Sequence, residues 1–270
     1  LVPDLGLLNN IQPSDVEAII DRSLKRLQIE QLHLVQFYWW DLALGDARAG
    51  FEVLKRCQKE GKIGHLGVTN WDVAETQPFV DAGFDLISTQ VQYSLLDRRP
   101  EGGLTRWGAE HDVRLLCYGT LAGGFLTDRW LGEPDPGFAF ENRSLIKYSL
   151  IIDEFGPRDV FQNLLRTLKA IGGKHSVAVS SVATRWVLDQ PQIGAAIVGA
   201  RYARHLEKTL EVFRFTLDAE DQAAINAVLE TAPGPQGPVF GLERDRSGRH
   251  GRIMKYNLNT KPDDKVLGSA

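Results

Sequence analysis

The sequence predicts an α/β protein whose parallel strands close into a β/α barrel. Three observations lead there. Helix-like and strand-like segments alternate along the chain. The strand-like segments, such as Leu32–Trp39 (LHLVQFYW) and Val113–Tyr118 (VRLLCY), are near-continuous apolar runs, as expected of parallel strands buried on both faces. No G-x-G-x-x-G opens a helix after the first strand, which turns the choice from an open doubly wound sheet toward an eight-stranded barrel.

In chain order, Leu1–Asn10 is short and apolar, the end of a strand and a loop. Pro13, Ser14 and Asp15 announce a helix, with Ser14 as its cap and Val16, Ile20, Leu24 and Leu27 on one face. The strand Leu32–Trp39 follows. Arg48–Lys59 is a helix ended by Gly61, and Ile63–Thr69 a strand. Asp72–Asp81 is a short helix, Leu86–Tyr93 a strand, Leu104–His111 a helix and Val113–Tyr118 a strand. Gly119–Asn142, rich in Gly, Pro and aromatic residues, reads as irregular. Asp159–Ile171 and Val177–Asp189 are helices, Ala195–Val198 a strand, and Tyr202–Val212 and Ala219–Leu229 helices. From Pro233 the chain is Gly- and Pro-rich and reads as an extended wrap or a loop. No domain boundary is visible, so residues 1–270 are expected to form a single barrel domain carrying the tail 233–270.

With 43% hydrophobic and 24% charged residues, the 270-residue chain can bury one sizeable core. The formal net charge of -4, with Lys and Arg scattered, speaks against a nucleic-acid surface. The basic run Arg244–Arg252 (RDRSGRHGR) reads as solvated. Cys57 and Cys117 make no disulfide framework and point to a reducing, cytoplasmic setting. No apolar run is long enough for a membrane span; Ser176–Ala200 is broken by Arg185, Asp189 and Pro191. No His/Cys/Asp/Glu set has metal-ligand spacing, and no serine sits on a nucleophile elbow. The chain opens on Leu1, and its single methionine is Met254, so the sequence is expected to be part of a longer product.

Five stretches in order carry a family resemblance: LHLVQFYWWD (32–41), GKIGHLGVTN (61–70), STQVQYSLLDRR (88–99), LLCYGTLAGGFLTDRWLG (115–132) and IVGARYARHLEKTLE (197–211). Over Leu1 to about Leu229 the chain resembles the aldo-keto reductases. These are (β/α)8 TIM barrel enzymes that reduce aldehyde and ketone carbonyls with NADPH. The resemblance implies NADP(H) as cofactor and a small-molecule carbonyl as substrate, and it leaves the oligomeric state open. It also implies that the first barrel strands, with the catalytic Asp, the general-acid Tyr and its Lys, lie upstream of Leu1.

The resemblance distributes roles over the residues present. The family's fourth catalytic member is a His; the matching position here is Tyr38. A phenol has an intrinsic pKa of about 10, so it donates a neutral hydrogen bond to a carbonyl but cannot act as an imidazolium. Tyr38 can equally be one panel of an aromatic wall with Phe37, Trp39 and Trp40. Thr69, Asn70 and Gln90 match residues that bond the nicotinamide carboxamide, which needs both a donor and an acceptor. Tyr118 matches the ring that stacks on the nicotinamide. Gly119, Thr120, Leu121 and Gly123 follow that strand, where glycines let backbone approach a pyrophosphate. Gly199, Ala200 and Arg201 follow the last strand, and Arg201 matches a guanidinium that grips the 2′-phosphate. His205 matches another position facing that phosphate. Lys208 and Thr209 stand where the family has Glu and Asn against the adenine. Trp130, Phe138, Phe140 and Phe240 are candidate linings of an apolar substrate pocket. These departures keep a second function in view, a non-catalytic nucleotide-binding or regulatory protein on the same fold.

Overall fold

The structure, a computed structural model, describes residues 8–140, 142–199 and 203–254, apart from the side chain of Arg204. The described residues fall into two compact units. One comprises residues 8–90, 111–113 and 242–254; the other comprises 91–110 and 114–241.

In the first unit, α1 (Pro13–Leu27), α2 (Ala47–Lys59) and α3 (Val73–Asp81) alternate with β1 (Leu32–Phe37), β2 (Ile63–Thr69) and β3 (Leu86–Gln92), whose last residues pass into the second unit. β1 pairs parallel with β2, Leu32 opposite Ile63 and Phe37 opposite Val68. β2 pairs parallel with β3, Gly67 opposite Ser88 and Thr69 opposite Gln90. The close packing explains two glycines in β2: a Cβ on Gly64 would come to 2.8 Å from the carbonyl oxygen of His33, and one on Gly67 would strike Ser88. An aromatic cluster fills the core. Phe51 of α2, fully buried, lies 4.9 Å from Phe37, 4.8 Å from Phe84 and 5.2 Å from Phe79 between ring centroids. α1 begins two residues earlier than the sequence suggests. Gln12 is its N-cap, its amide bonded to Asp15 Oδ2 at 2.9 Å, and Pro13, not Ser14, opens the first turn, where a missing N–H costs nothing.

In the second unit, α4 (Leu104–Glu110), β4 (Arg114–Tyr118), α5 (Arg143–Phe155), α6 (Arg158–His175), α7 (Val179–Leu188), β5 (Ile193–Ile197), α8 (Leu206–Leu210) and α9 (Ala219–Leu229) follow in order. β4 pairs parallel with β5, Leu116 opposite Ala195 and Tyr118 opposite Ile197. On α6, Phe161, Leu164, Leu165 and Leu168 recur at helical spacing and are fully buried. α5 departs from the sequence reading, which leaves 143–158 unassigned. Asn142 caps it by accepting from the amide of Ser144 at 2.8 Å, and Ile151 and Phe155 are wholly buried.

Three further expectations are corrected. Strand burial is uneven: β2 and β3 are mostly buried, but β1 and β5 are half-exposed, with Ile197 at 42%. Among the described residues of its unit, β1 pairs with β2 and β5 with β4. Residues 203–213 form a short α-helix flanked by two 3-10 turns, not one helix; Tyr202 lies outside the described residues. The tail is not wholly extended, since Gly241–Arg244 (α10) and Arg249–Arg252 (α11) are helical turns. No helix among the described residues is long and apolar enough to cross a membrane.

Candidate functional site

The second unit holds a cavity of about 480 Å³ at the C-terminal ends of β4 and β5. Its walls come from Gly119, Thr120, Leu121, Gly123, Gly124 and Thr127 after β4, from Tyr148 on α5, from Ser180, Ser181 and Thr184 on α7, and from Ile197, Val198, Gly199, His205, Lys208, Thr209 and Val212 around β5 and α8. Six residues that the sequence assigns to the cofactor therefore share one cavity: Gly119, Thr120, Leu121, Gly123, Gly199 and His205. Ala200 and Arg201 lie outside the described residues. The volume is within the range of small-ligand sites.

Backbone makes much of this cavity. Gly119 and Gly123 have φ of +71° and +66°, in the left-handed region that side chains resist. A Cβ on Gly119 would collide with the Tyr148 hydroxyl, and one on Gly123 would come to 2.7 Å from the Tyr148 ring. The loop and α5 thus meet at a spacing only glycine permits. Opposite, the Ser181 hydroxyl lies 2.9 Å from the Lys208 carbonyl and 2.8 Å from Glu211 Oε2, with one proton to share between them. Glu211 also accepts from the Ala178 amide at 3.0 Å, so α7 holds the turn after α8 in place. Lys208 and His205 are exposed on the cavity rim.

Tyr118 ends β4 just before the cavity loop. It is half-buried, and the ammonium of Lys147 lies 5.3 Å from its ring centre. The same ammonium lies 5.5 Å from Tyr148 and 5.3 Å from Phe240, three rings around one cation. Sequence reading found neither Lys147 nor Tyr148. The signal for α5 is present in Ile151 and Phe155 at helical spacing, but the preceding Gly- and Pro-rich run obscures it.

The first unit holds the other assigned residues. Thr69 ends β2 beside Gln90 of β3. Asn70 is buried, in a left-handed turn at φ 57°, and its amide bonds the Gln90 carbonyl at 2.9 Å. Asn is among the few residues other than glycine that tolerate that conformation. Tyr38 follows β1, half-buried, its ring edge-on to Trp40 at 6.2 Å. β1 stops at Phe37, two residues short of the sequence reading, because Trp39 turns into a loop, its indole N–H bonding the Leu44 carbonyl at 2.8 Å. His33, at the opposite end of β1, is exposed. Of the four candidate pocket aromatics, Trp130 packs on Phe125 at 4.7 Å and on Phe140, Phe240 is buried, and Phe138 is exposed; none lines the cavity.

Arg244 corrects the reading of its basic run as solvated. Its Nε donates to the Trp40 carbonyl at 3.2 Å, its Nη1 to Glu75 Oε1 at 2.9 Å and its Nη2 to the Asn70 carbonyl at 2.7 Å.

Two acidic clusters that sequence spacing does not reveal also form. Asp218, Asp221 and His175 meet around Lys174, whose Nζ lies 2.6 Å from Asp218 and 2.9 Å from Asp221. The hydrogen bond from Lys174 holds the Asp218 carboxyl down at about 2. Burial alone would raise Asp221, but bonds from His175 and Lys174 outweigh it and the net shift is downward. The second cluster, Glu17, Cys57 and Glu60, is balanced by Arg56 and Lys62. Lys174 engages both carboxylates of the first group, and Arg56 and Lys62 those of the second. The second thiol, Cys117, is pushed up to about 12 by burial in β4 and is inert at neutral pH.

Comparison with known proteins gives the family. A curated aldo-keto reductase of Bacillus subtilis, YhdN, is 31% identical over 222 residues, 82% of this chain and 65% of that protein. The chain thus spans just under two thirds of that relative's length. The Schizosaccharomyces pombe protein named aldo-keto reductase yakc [NADP(+)] is 25% identical over 255 residues, 88% of this chain and 72% of that one. Among solved structures, the glycerol dehydrogenase AKR11B4 from Gluconobacter oxydans matches with a TM-score of 0.69 at 25% identity, over 84% of this chain and 67% of that one. The likeness places the fold in the α/β TIM barrel class. The sequence profile of the aldo/keto reductase family matches residues 6–230, and the chain belongs to that family.

Proposed function

We propose that the protein is an NADP(H)-dependent oxidoreductase that reduces an aldehyde or ketone to the alcohol. The observation that supports this most is the gathering of Gly119, Thr120, Leu121, Gly123, Gly199 and His205 on one cavity. The cavity suits the phosphate-bearing end of a dinucleotide. Its glycine loop lets a pyrophosphate approach the backbone, Thr120, Ser180 and Thr184 add hydroxyls, and Lys208 and His205 supply a basic rim. By the family resemblance, Arg201 is assigned to the 2′-phosphate. We assign Tyr118 to the ring that stacks on the nicotinamide, and Thr69, Asn70 and Gln90 to its carboxamide.

When bound, NADPH supplies the hydride. As negative charge grows on the carbonyl oxygen, a donor must meet it, and Tyr38 is the group of this chain assigned to that hydrogen bond. The family's catalytic Asp, Tyr and Lys have no matching positions here, so turnover is assigned to the whole protein. The substrate is a small carbonyl compound, and two reduced, buried cysteines support a cytoplasmic setting.

The edge-on contact of Tyr38 with Trp40 supports a second reading, nucleotide binding without turnover, in which Tyr38 is only wall. NADPH oxidation by the whole protein against a panel of aldehydes and ketones decides between them. Carbonyl-dependent oxidation that falls on Tyr38→Phe supports the reductase with Tyr38 as donor. Unchanged turnover removes Tyr38 from the mechanism, and NADPH binding with no turnover for any carbonyl favours the second reading.

A further inference from the structure

We infer that Arg244 is a positioning residue for the nicotinamide end of the cofactor, acting through Asn70. The inference rests on the proposed role of Asn70 as a carboxamide contact. One planar guanidinium spends its three nitrogens on three different acceptors: the Trp40 carbonyl in the loop after β1, the Asn70 carbonyl at the end of β2, and the carboxylate of Glu75 in the first turn of α3. Arg244 itself comes from far along the chain, in α10.

Two features make the contact more than a surface tie. Asn70 takes the left-handed conformation, which asparagine tolerates alongside the ordinary ones, so outside bonds select it here. Its amide is bonded to Gln90 and its carbonyl to Arg244, so the peptide units on both sides are fixed. The second feature is Glu75. Its Oε1 accepts from Arg244 while its Oε2 accepts from the Asp72 amide at 2.9 Å, and Asp72 caps α3. The guanidinium therefore locks the β2–α3 turn that carries Asn70 to the helix behind it. A lysine ammonium, compact and without the fork, cannot span all three acceptors at once.

The test is isothermal titration of the whole protein with two probes, NADPH and adenosine 2′,5′-bisphosphate, which lacks nicotinamide. Arg244→Gln should weaken NADPH about tenfold or more while changing the bisphosphate by less than about twofold. Arg244→Lys, which keeps the charge, should recover part of the NADPH loss. Glu75→Gln, which removes the charge and keeps one of the two acceptor oxygens, gives a milder version of the same selective loss and serves if Arg244→Gln melts at ordinary temperature. Equal weakening of both probes, or no change in either, would overturn the inference and leave the reductase reading standing. Wild-type protein that binds neither probe would overturn both.

Discussion

The cavity after β4 and β5 and the strand ends of β1 and β2 solve different problems with different materials. The first is made of absence: Gly119 and Gly123 strip the loop of side chains so that Tyr148 can close over it, and small hydroxyl residues supply the far wall. The second is made of mass. Phe37, Phe51, Trp71, Phe79 and Phe84 pack into one aromatic cluster, the Trp71 indole N–H bonds the Trp39 carbonyl at 3.0 Å, and Arg244 straps the ends together. A phosphate-binding surface must expose backbone N–H groups, which needs glycine and room. A place that presents one amide side chain in a fixed pose needs rigidity, which aromatic packing and a forked cation provide.

Truncating the mass should cost the most. Phe51→Ala removes the ring at the centre of the cluster and is expected to destabilise the fold by about 3–5 kcal/mol, read from denaturant midpoints. A loss under 1 kcal/mol would mean that the cluster relaxes into the cavity and is less rigid than this comparison requires.

Filling the absence should cost less stability and more binding. Gly119→Ala pays about 1–2 kcal/mol for a side chain at positive φ and sets a methyl against the Tyr148 hydroxyl. Binding of adenosine 2′,5′-bisphosphate should fall by at least about tenfold, a difference of roughly 1.4 kcal/mol. Unaltered binding would remove the loop from the phosphate site.

The smallest effect expected is one of pH. Asp218 and Asp221 have carboxyls depressed below their ordinary 3.8 in the folded state, so the unfolded chain takes up protons first as pH falls. Their contribution to stability is therefore complete above about pH 4 and drains away as pH drops through the depressed values, toward about 2 for Asp218. Lys174 is shifted the other way, upward, by bonds to the same two carboxylates. Its contribution is complete below its ordinary 10.5 and is lost only as pH climbs beyond that value. Lys174→Met should flatten the acid limb of a stability-against-pH curve; an unchanged limb would show that other carboxylates govern it.

The two regions were not equally legible in the sequence. The β-strands and most helices could be read within a few residues, because apolar runs and 3.6-residue periodicity are local properties. The cavity loop was singled out by its place after a late strand of the family pattern, since glycines alone are a weak signal. Tyr148 was hidden because α5 follows a Pro- and Gly-rich run that masks its start. Arg244 was hidden for a different reason: it sits among basic residues that sequence alone assigns to solvent, and its three acceptors are main-chain carbonyls and a glutamate some 170 to 200 positions earlier. Contacts to main-chain carbonyls leave no residue-type signature at the far end. The acidic clusters were missed likewise, since Asp221 and His175 meet only through the packing of α9 against α6.

The central claim, that the cavity after β4 and β5 receives the phosphates of NADP(H), is tested most directly by amide hydrogen exchange of the protein with and without saturating NADPH. The account predicts slowed exchange in Gly119–Gly124 and around Gly199 and His205, reproduced by adenosine 2′,5′-bisphosphate alone. NADPH binding that leaves exchange in both segments unchanged would contradict it.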